Sequence, residues 1–407
     1  MQNKKLARAG VGSHICERLK NHHVETCKDL LSLTPLEVMR VAGQSHYQSL
    51  QLLKSVSLAC APKIIPAQEL WLQREDLCFS TSLRELDGLL QGGVPRGTIT
   101  EVTGPSGCGK SQLCMMLSVL ATLPRSMGGL DSGVIYIDTE SAFSAERLLE
   151  IARSRFPDYF SVPERLLQTA GRVHLFKELT CQEVLTRLAQ LEEDIISCHA
   201  GLVILDSVAS VVRKEFDTSL SGNLTHRSNL LGREAATLKY LAQEFRIPVV
   251  VTNQITTHFS ERASSSSLSR RWNVPEAPGA EGERDSGYVT AALGNTWSHN
   301  VNTRLIVQYV DAHLRQIVIA KSPVAPFAVL NYTVQKEGIR LEGNASKEIM
   351  SAQGTDPGLH PIRVRTGIDY RLTGAMATMA PYTIAAAAAA ATTTTTTTGG
   401  RCENTDV

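Results

Sequence analysis

Eight consecutive residues, Gly104-Pro105-Ser106-Gly107-Cys108-Gly109-Lys110-Ser111, constrain this chain more than any other feature. They match the phosphate-loop pattern at every fixed position, and that pattern works only between a buried strand and a helix. Residues 98–102, short and rich in β-branched side chains, supply the strand, and residues 112–120 the helical run. Glycines let backbone N–H groups curl round phosphate oxygens, and the positive end of the following helix favours the same anion. Lys110 is then placed for the β- and γ-oxygens of a nucleoside triphosphate and the Ser111 hydroxyl for magnesium. The expected ligands are Mg2+ and ATP. GTP is disfavoured because no Asn-Lys-x-Asp run follows a strand.

The surroundings fit that requirement. Residues 133–137, 202–205 and 249–252 are further short apolar runs of the buried-strand kind. Amphipathic helices lie between them: Val184, Leu185, Leu188, Leu191 and Ile195 share one face, as do Leu231, Ala235, Leu238 and Ala242. Alternation of this sort predicts an α/β fold with a mainly parallel sheet flanked by helices. Residues 304–310 and 315–320, around the polar turn Asp311-Ala312-His313, predict an antiparallel hairpin at its edge.

The chain divides into four parts. Residues 1–60 read as a small helical domain, with Thr34-Pro35 opening one helix and Val41-Ala42-Gly43-Gln44-Ser45 turning into the next. A helix–turn–helix pair with Gly in its turn suits a DNA phosphate, and it equally suits a bundle used for protein contacts. Residues 61–80, with Pro62 and Pro66, read as a linker, and 81–340 as the ATPase domain. In 341–407 the periodicity stops, and seven alanines from Ala385 run into seven threonines from Thr392. That composition cannot offset its ordering entropy, so a disordered tail is expected.

Composition excludes several classes. No long apolar run is present, so no membrane span is expected, and the basic opening MQNKKLARAG leads into no apolar segment of a secretory leader. Nine cysteines without a Cys-x-x-Cys pair fit a reducing compartment better than a disulfide framework or a zinc site. A net charge of +1 excludes a broad electrostatic nucleic-acid binder, though not a local basic loop.

Asp206 ends the strand at 202–205, where a magnesium-holding carboxylate belongs. Ser207 follows it in place of the glutamate that many ATPases use to activate water. Glu140, after Ile135-Tyr136-Ile137-Asp138-Thr139, is the candidate for that task, although an acid before Ser141 also fits a helix start. Gln254, beyond Asn253 at another strand end, is placed to sense the γ-phosphate.

These residues, in this order, resemble the RecA-like recombinases, specifically their eukaryotic branch. The phosphate loop, the run 136–140, Ala145-Glu146-Arg147-Leu148, residues 203–206 and Thr252-Asn253-Gln254 carry the resemblance, which covers roughly residues 1–340. The runs 207–216 and 293–299 look most like the B-type branch of the family's paralogues. The resemblance implies a RecA-like P-loop ATPase core and a nuclear role in double-strand-break repair by homologous recombination. It further implies a hetero-oligomer with other paralogues, chiefly the C-type, and places Arg147 against the adenine. Two loops would meet single-stranded or branched DNA: one near 213–233 with Arg213, Lys214 and Arg227, another near 256–291 with Arg262, Arg270 and Arg271. Phe216 and Trp272 are available there for base stacking. Two departures stand out. Ile64-Ile65-Pro66-Ala67 lies about where the recombinase hooks its neighbour with a phenylalanine and an alanine, and Lys321 lies about where the family has an acid facing the neighbour's ATP. Both an ATP-hydrolysing, DNA-binding subunit and a scaffold stapled by bound ATP fit these residues.

Overall fold

The computed structural model describes residues 4–61, 64–72, 77–216, 221–258 and 288–343. Arg262, Arg270, Arg271 and Trp272 lie outside the described residues, as does the tail from 344 onward.

Strands β1 (Cys78–Phe79) and β2 (Val94–Pro95) form a short antiparallel ribbon at the entrance to the larger domain. The main strands follow as β3 (Ile99–Thr103), β4 (Gly133–Asp138), β5 (Val173–Lys177), β6 (Ala200–Asp206) and β7 (Val249–Asn253). After a two-stranded antiparallel hairpin, β8 (Ile255–His258) with β9 (Tyr288–Ala291), come β10 (Thr303–Tyr309), β11 (Arg315–Lys321), β12 (Ala328–Gln335) and β13 (Gly338–Leu341). Nine of them make one sheet, in the order β13-β12-β11-β10-β3-β7-β6-β4-β5. From β10 through β3 to β5 the pairing is parallel, and from β10 out to β13 it is antiparallel. The expected hairpin is therefore present, but β10 sits inside the sheet and an antiparallel extension continues beyond it.

Central strands are buried on both faces, which is why they read as unbroken apolar runs. Alternate residues feed two cores. Val134, Tyr136, Leu202 and Ile204 pack against the helix Lys110–Thr122 on one side. On the other, Ile135, Ile137, Val203 and Leu205 meet Val184, Leu188, Leu231 and Leu238. An ion pair interrupts the second core: Glu101 on β3, fully buried, pairs with the Arg304 guanidinium. It also accepts from Asn253 Nδ2 at 2.6 Å and Trp297 Nε1 at 2.9 Å. A carboxylate buried as an ion is normally paired and hydrogen-bonded in this way.

The N-terminal helices start where the sequence caps them. Thr26 with Asp29, Thr34 with Glu37 and Ser45 with Gln48 each form a reciprocal capping box. Gly43 takes the left-handed conformation at φ 62°, which turns Pro35–Ala42 into His46–Cys60. This domain sits on the ATPase-like core through Arg8, whose Nη1 lies 2.7 Å from Glu192 and whose guanidinium stacks over Phe245. The stretch read as a linker contains a helix, Ala67–Leu72. Much of the first DNA-loop region is also helical: Arg213 and Lys214 end Val208–Glu215, and Arg227 lies in Ser221–Phe245. Leu224, Leu231 and Leu238 recur every seven residues and extend that helix backwards.

Candidate nucleotide site

The phosphate loop joins the end of β3 to the N-terminus of Lys110–Thr122. Its glycines are demanded by space and by backbone. A Cβ on Gly104 would stand 2.0 Å from the carbonyl oxygen of Val307, and one on Gly107, at φ 77°, would stand 2.7 Å from the Tyr309 hydroxyl. Gly109 takes φ 97° as the helix N-cap. A loop drawn this tightly turns its N–H groups inward, as binding of an oxyanion requires.

Lys110 Nζ donates to the carbonyls of Gly104 and Pro105, both at 2.9 Å. Burial pulls its pKa down, while the charges of Asp206 and Glu140 act against that loss. Cys108, inside the loop, is buried, and burial pushes its thiol up to about 11 despite nearby Lys110 and Arg315. Such a thiol is no nucleophile at neutral pH.

Asp206 sits at the tip of β6 with both carboxylate oxygens oriented. Tyr136 Oη donates to one at 2.6 Å, and the Thr252 hydroxyl donates to the other. Asp138, one strand over, accepts from the backbone N–H groups of Glu140, Ala142 and Phe143, which fixes the turn carrying Glu140. Glu140 Oε1 accepts from Ser207 Oγ at 2.6 Å and from Gln254 Nε2 at 2.7 Å. The serine that replaces the usual glutamate thus orients the one in the turn after β4. Gln254 Oε1 in turn accepts from Arg213 Nη1 at 3.0 Å. Three segments far apart in sequence meet in that chain of bonds.

Lys110, Ser111, Glu140, Arg147, Asp206 and Arg315 are among the residues lining one cavity of about 510 Å3. Pro105 and Cys108 serve it through the loop backbone, together with Ser106, Gly107 and Gly109 on its wall. Arg147, on the helix Ala145–Arg155, bonds Gln112, Glu150 and the carbonyls of Gln335 and Lys336. Arg147 and Val334 both line the cavity. Ser111 and Asp206 bring a hydroxyl and a carboxylate to the cavity lining, hard donors of the kind magnesium takes alongside phosphate oxygens. Among the described residues no cluster of three His, Cys, Asp or Glu could hold a metal without such help.

Of the DNA candidates, Arg213 and Lys214 are exposed, and Arg227 is half-buried near them. Burial, and then the charge of Arg213, lower the Arg227 pKa. Phe216 stacks with His226 at 5.4 Å between ring centroids. Lys321 does not point outward: its Nζ donates to the carbonyls of Ser298 and Val301 at 2.9 and 2.6 Å, at the end of the helix Gly294–Asn300. No described helix is long and apolar enough to cross a membrane.

Known proteins resemble this chain in sequence over most of its length. The family model for Rad51 matches residues 73–341, and that for an XRCC3/RpoA-like helix-hairpin-helix domain matches residues 6–60. The chain is 54% identical over 357 residues to DNA repair protein RAD51 homolog 2 of Homo sapiens, across 87% of this chain and 93% of that protein. Its identity to the Mus musculus counterpart is 53% over 348 residues, across 84% and 99%. For that of Arabidopsis thaliana it is 30% over 370 residues, across 90% and 96%. The chain therefore belongs to the Rad51 family of RecA-like recombinases, within the branch of its B-type paralogues.

Proposed function

We propose that this chain is a DNA-dependent ATPase subunit of a nuclear recombinase-paralogue complex. It binds single-stranded or branched DNA and assists double-strand-break repair by homologous recombination. Its relatives named above are DNA repair proteins, which supports the process. The observation that carries the mechanism is the bonded chain Ser207–Glu140–Gln254–Arg213.

Each residue has a role in this reading. The loop 104–109 and Lys110 bind the phosphates, Arg147 packs on the adenine, and Ser111 with Asp206 would hold Mg2+. When bound, the ion supplies positive charge against the phosphate oxygens. Glu140 takes the proton from the attacking water, held in position by Ser207 and Gln254. Gln254 connects that carboxylate to Arg213, on the helix that leads into the first DNA segment with Lys214 and Arg227. DNA that draws Arg213 toward a phosphate would therefore change how Gln254 holds Glu140. Arg262, Arg270 and Arg271 of the second segment add backbone contacts.

A partner completes the subunit, and the C-type paralogue is the proposed one. The linker supports a contact with another subunit: Ile64 is fully exposed, and Trp71 and Leu72 are exposed on the short helix after it. A second reading, an ATP-stapled scaffold, draws on Lys321, which is committed to its own chain. Arg213→Ala distinguishes the two. ATP affinity should stay within about twofold, while stimulation of hydrolysis by single-stranded DNA is lost. Unchanged stimulation in a phosphate-release assay removes Arg213 from the coupling.

A further inference from the structure

The antiparallel strands beside the phosphate loop place three side chains in a row. Arg315 on β11 stands opposite Tyr309 on β10 and opposite Tyr332 on β12. Residues directly opposed in antiparallel strands project from the same face of the sheet. Here that face looks onto the loop. The two outer members grip it: Tyr309 Oη donates to the carbonyl of Ser106 at 3.2 Å, and Tyr332 Oη donates to that of Cys108.

The middle member makes no bond to the loop. Arg315 lines the same cavity as Lys110, its guanidinium 5.3 Å from the Tyr309 ring centroid. Among the described residues, its Nη1 donates only to the carbonyl of His313 in the adjoining turn, at 3.2 Å, and its Nε is enclosed without a partner. A guanidinium carries five donors and normally satisfies them where water is scarce. The cavity's other cations are already engaged. Lys110 faces the charges of Asp206 and Glu140, and Arg147 has four protein partners.

We infer that Arg315 is a second phosphate-binding cation of the site, contacting the phosphate chain of the bound nucleotide from the antiparallel side. The inference rests on the proposal that the cavity binds ATP. A planar guanidinium suits phosphate oxygens better than a point charge, and its place over the Tyr309 ring keeps it beside the loop. The two tyrosines set the loop's distance from that plane, so β10, β11 and β12 act as a rigid wall for the phosphates.

The test is titration of the full chain with a fluorescent ATP analogue, followed by competition with inorganic tripolyphosphate. Arg315→Ala should weaken the analogue's binding by about 10- to 100-fold, the range for one charged hydrogen bond. Tripolyphosphate should lose potency with it, and the thermal midpoint should hold within about 2 °C. Arg315→Lys should recover only part of the affinity, because it restores the charge but not the planar fork of donors. Wild-type-like binding by Arg315→Ala overturns the inference and leaves the ATP assignment standing. A collapsed thermal midpoint that Arg315→Lys does not restore makes the residue a structural support, which also overturns it. No binding by the wild-type chain removes both.

Discussion

Lys110→Ala should abolish tight ATP binding. The lysine is the loop's one cation, and it already rests on the carbonyls of Gly104 and Pro105, where incoming phosphate oxygens would take over its donors. Truncating one partner of an enclosed, hydrogen-bonded charge pair costs about 2–5 kcal/mol, or roughly 30- to several thousand-fold in affinity. Alanine also removes a positive charge that acts on Asp206 and Glu140, which adds repulsion to the lost attraction. Its helix propensity is high, so the helix Lys110–Thr122 should start as before and the fold should survive. Titration with a fluorescent ATP analogue reads the effect. An affinity equal to wild type would end the assignment of this loop.

Glu140→Gln should behave differently. Its shape is kept, so ATP binding should persist, but an amide cannot accept the proton that hydrolysis releases from water. Removing a general base usually slows catalysis by about 10²- to 10⁴-fold. The geometry sharpens that expectation. Ser207 and Gln254 both donate to Glu140 Oε1, a position the amide oxygen of glutamine can fill, so the side chain keeps its place while the second oxygen becomes an NH2 group that takes no proton. Single-turnover phosphate release is the right measurement, because it separates the chemical step from product release. A wild-type rate in the variant would show that another group activates the water.

How much of this was legible beforehand follows from the range of each signal. The phosphate loop is local, and its strand and helix context reads directly from neighbouring residues. Asp206 and Gln254 were legible because buried parallel strands show as apolar runs, and ligands gather at the carboxyl ends of such strands. The strand β5 was missed because it lies at the sheet edge, where none of its side chains is fully buried and the apolar run is broken. The helix Ser221–Phe245 was cut short at its start, since its first turns carry Ser, Asn, Thr and His, which favour loops in isolation.

The network around Glu140 was invisible for a different reason. Ser207 and Glu140 are 67 residues apart, and Arg213 and Gln254 are 41 apart. Only the sheet order, with β4, β6 and β7 side by side, brings them together. Tyr309, Arg315 and Tyr332 needed still more: the register of three antiparallel strands, set by pairings that no spacing in the sequence encodes. The bonds of Lys321 were equally illegible: its amine donates to two carbonyls at a neighbouring helix end, 23 positions away in one case.

Phosphate release at steady state, measured on the chain alone, then with single-stranded DNA, then with DNA and the C-type paralogue, tests the coupled ATPase most directly. The bonded chain from Glu140 to Arg213 predicts slow release alone and a rise at each addition. ATP binding without any response of hydrolysis to DNA or partner would contradict it and leave the scaffold.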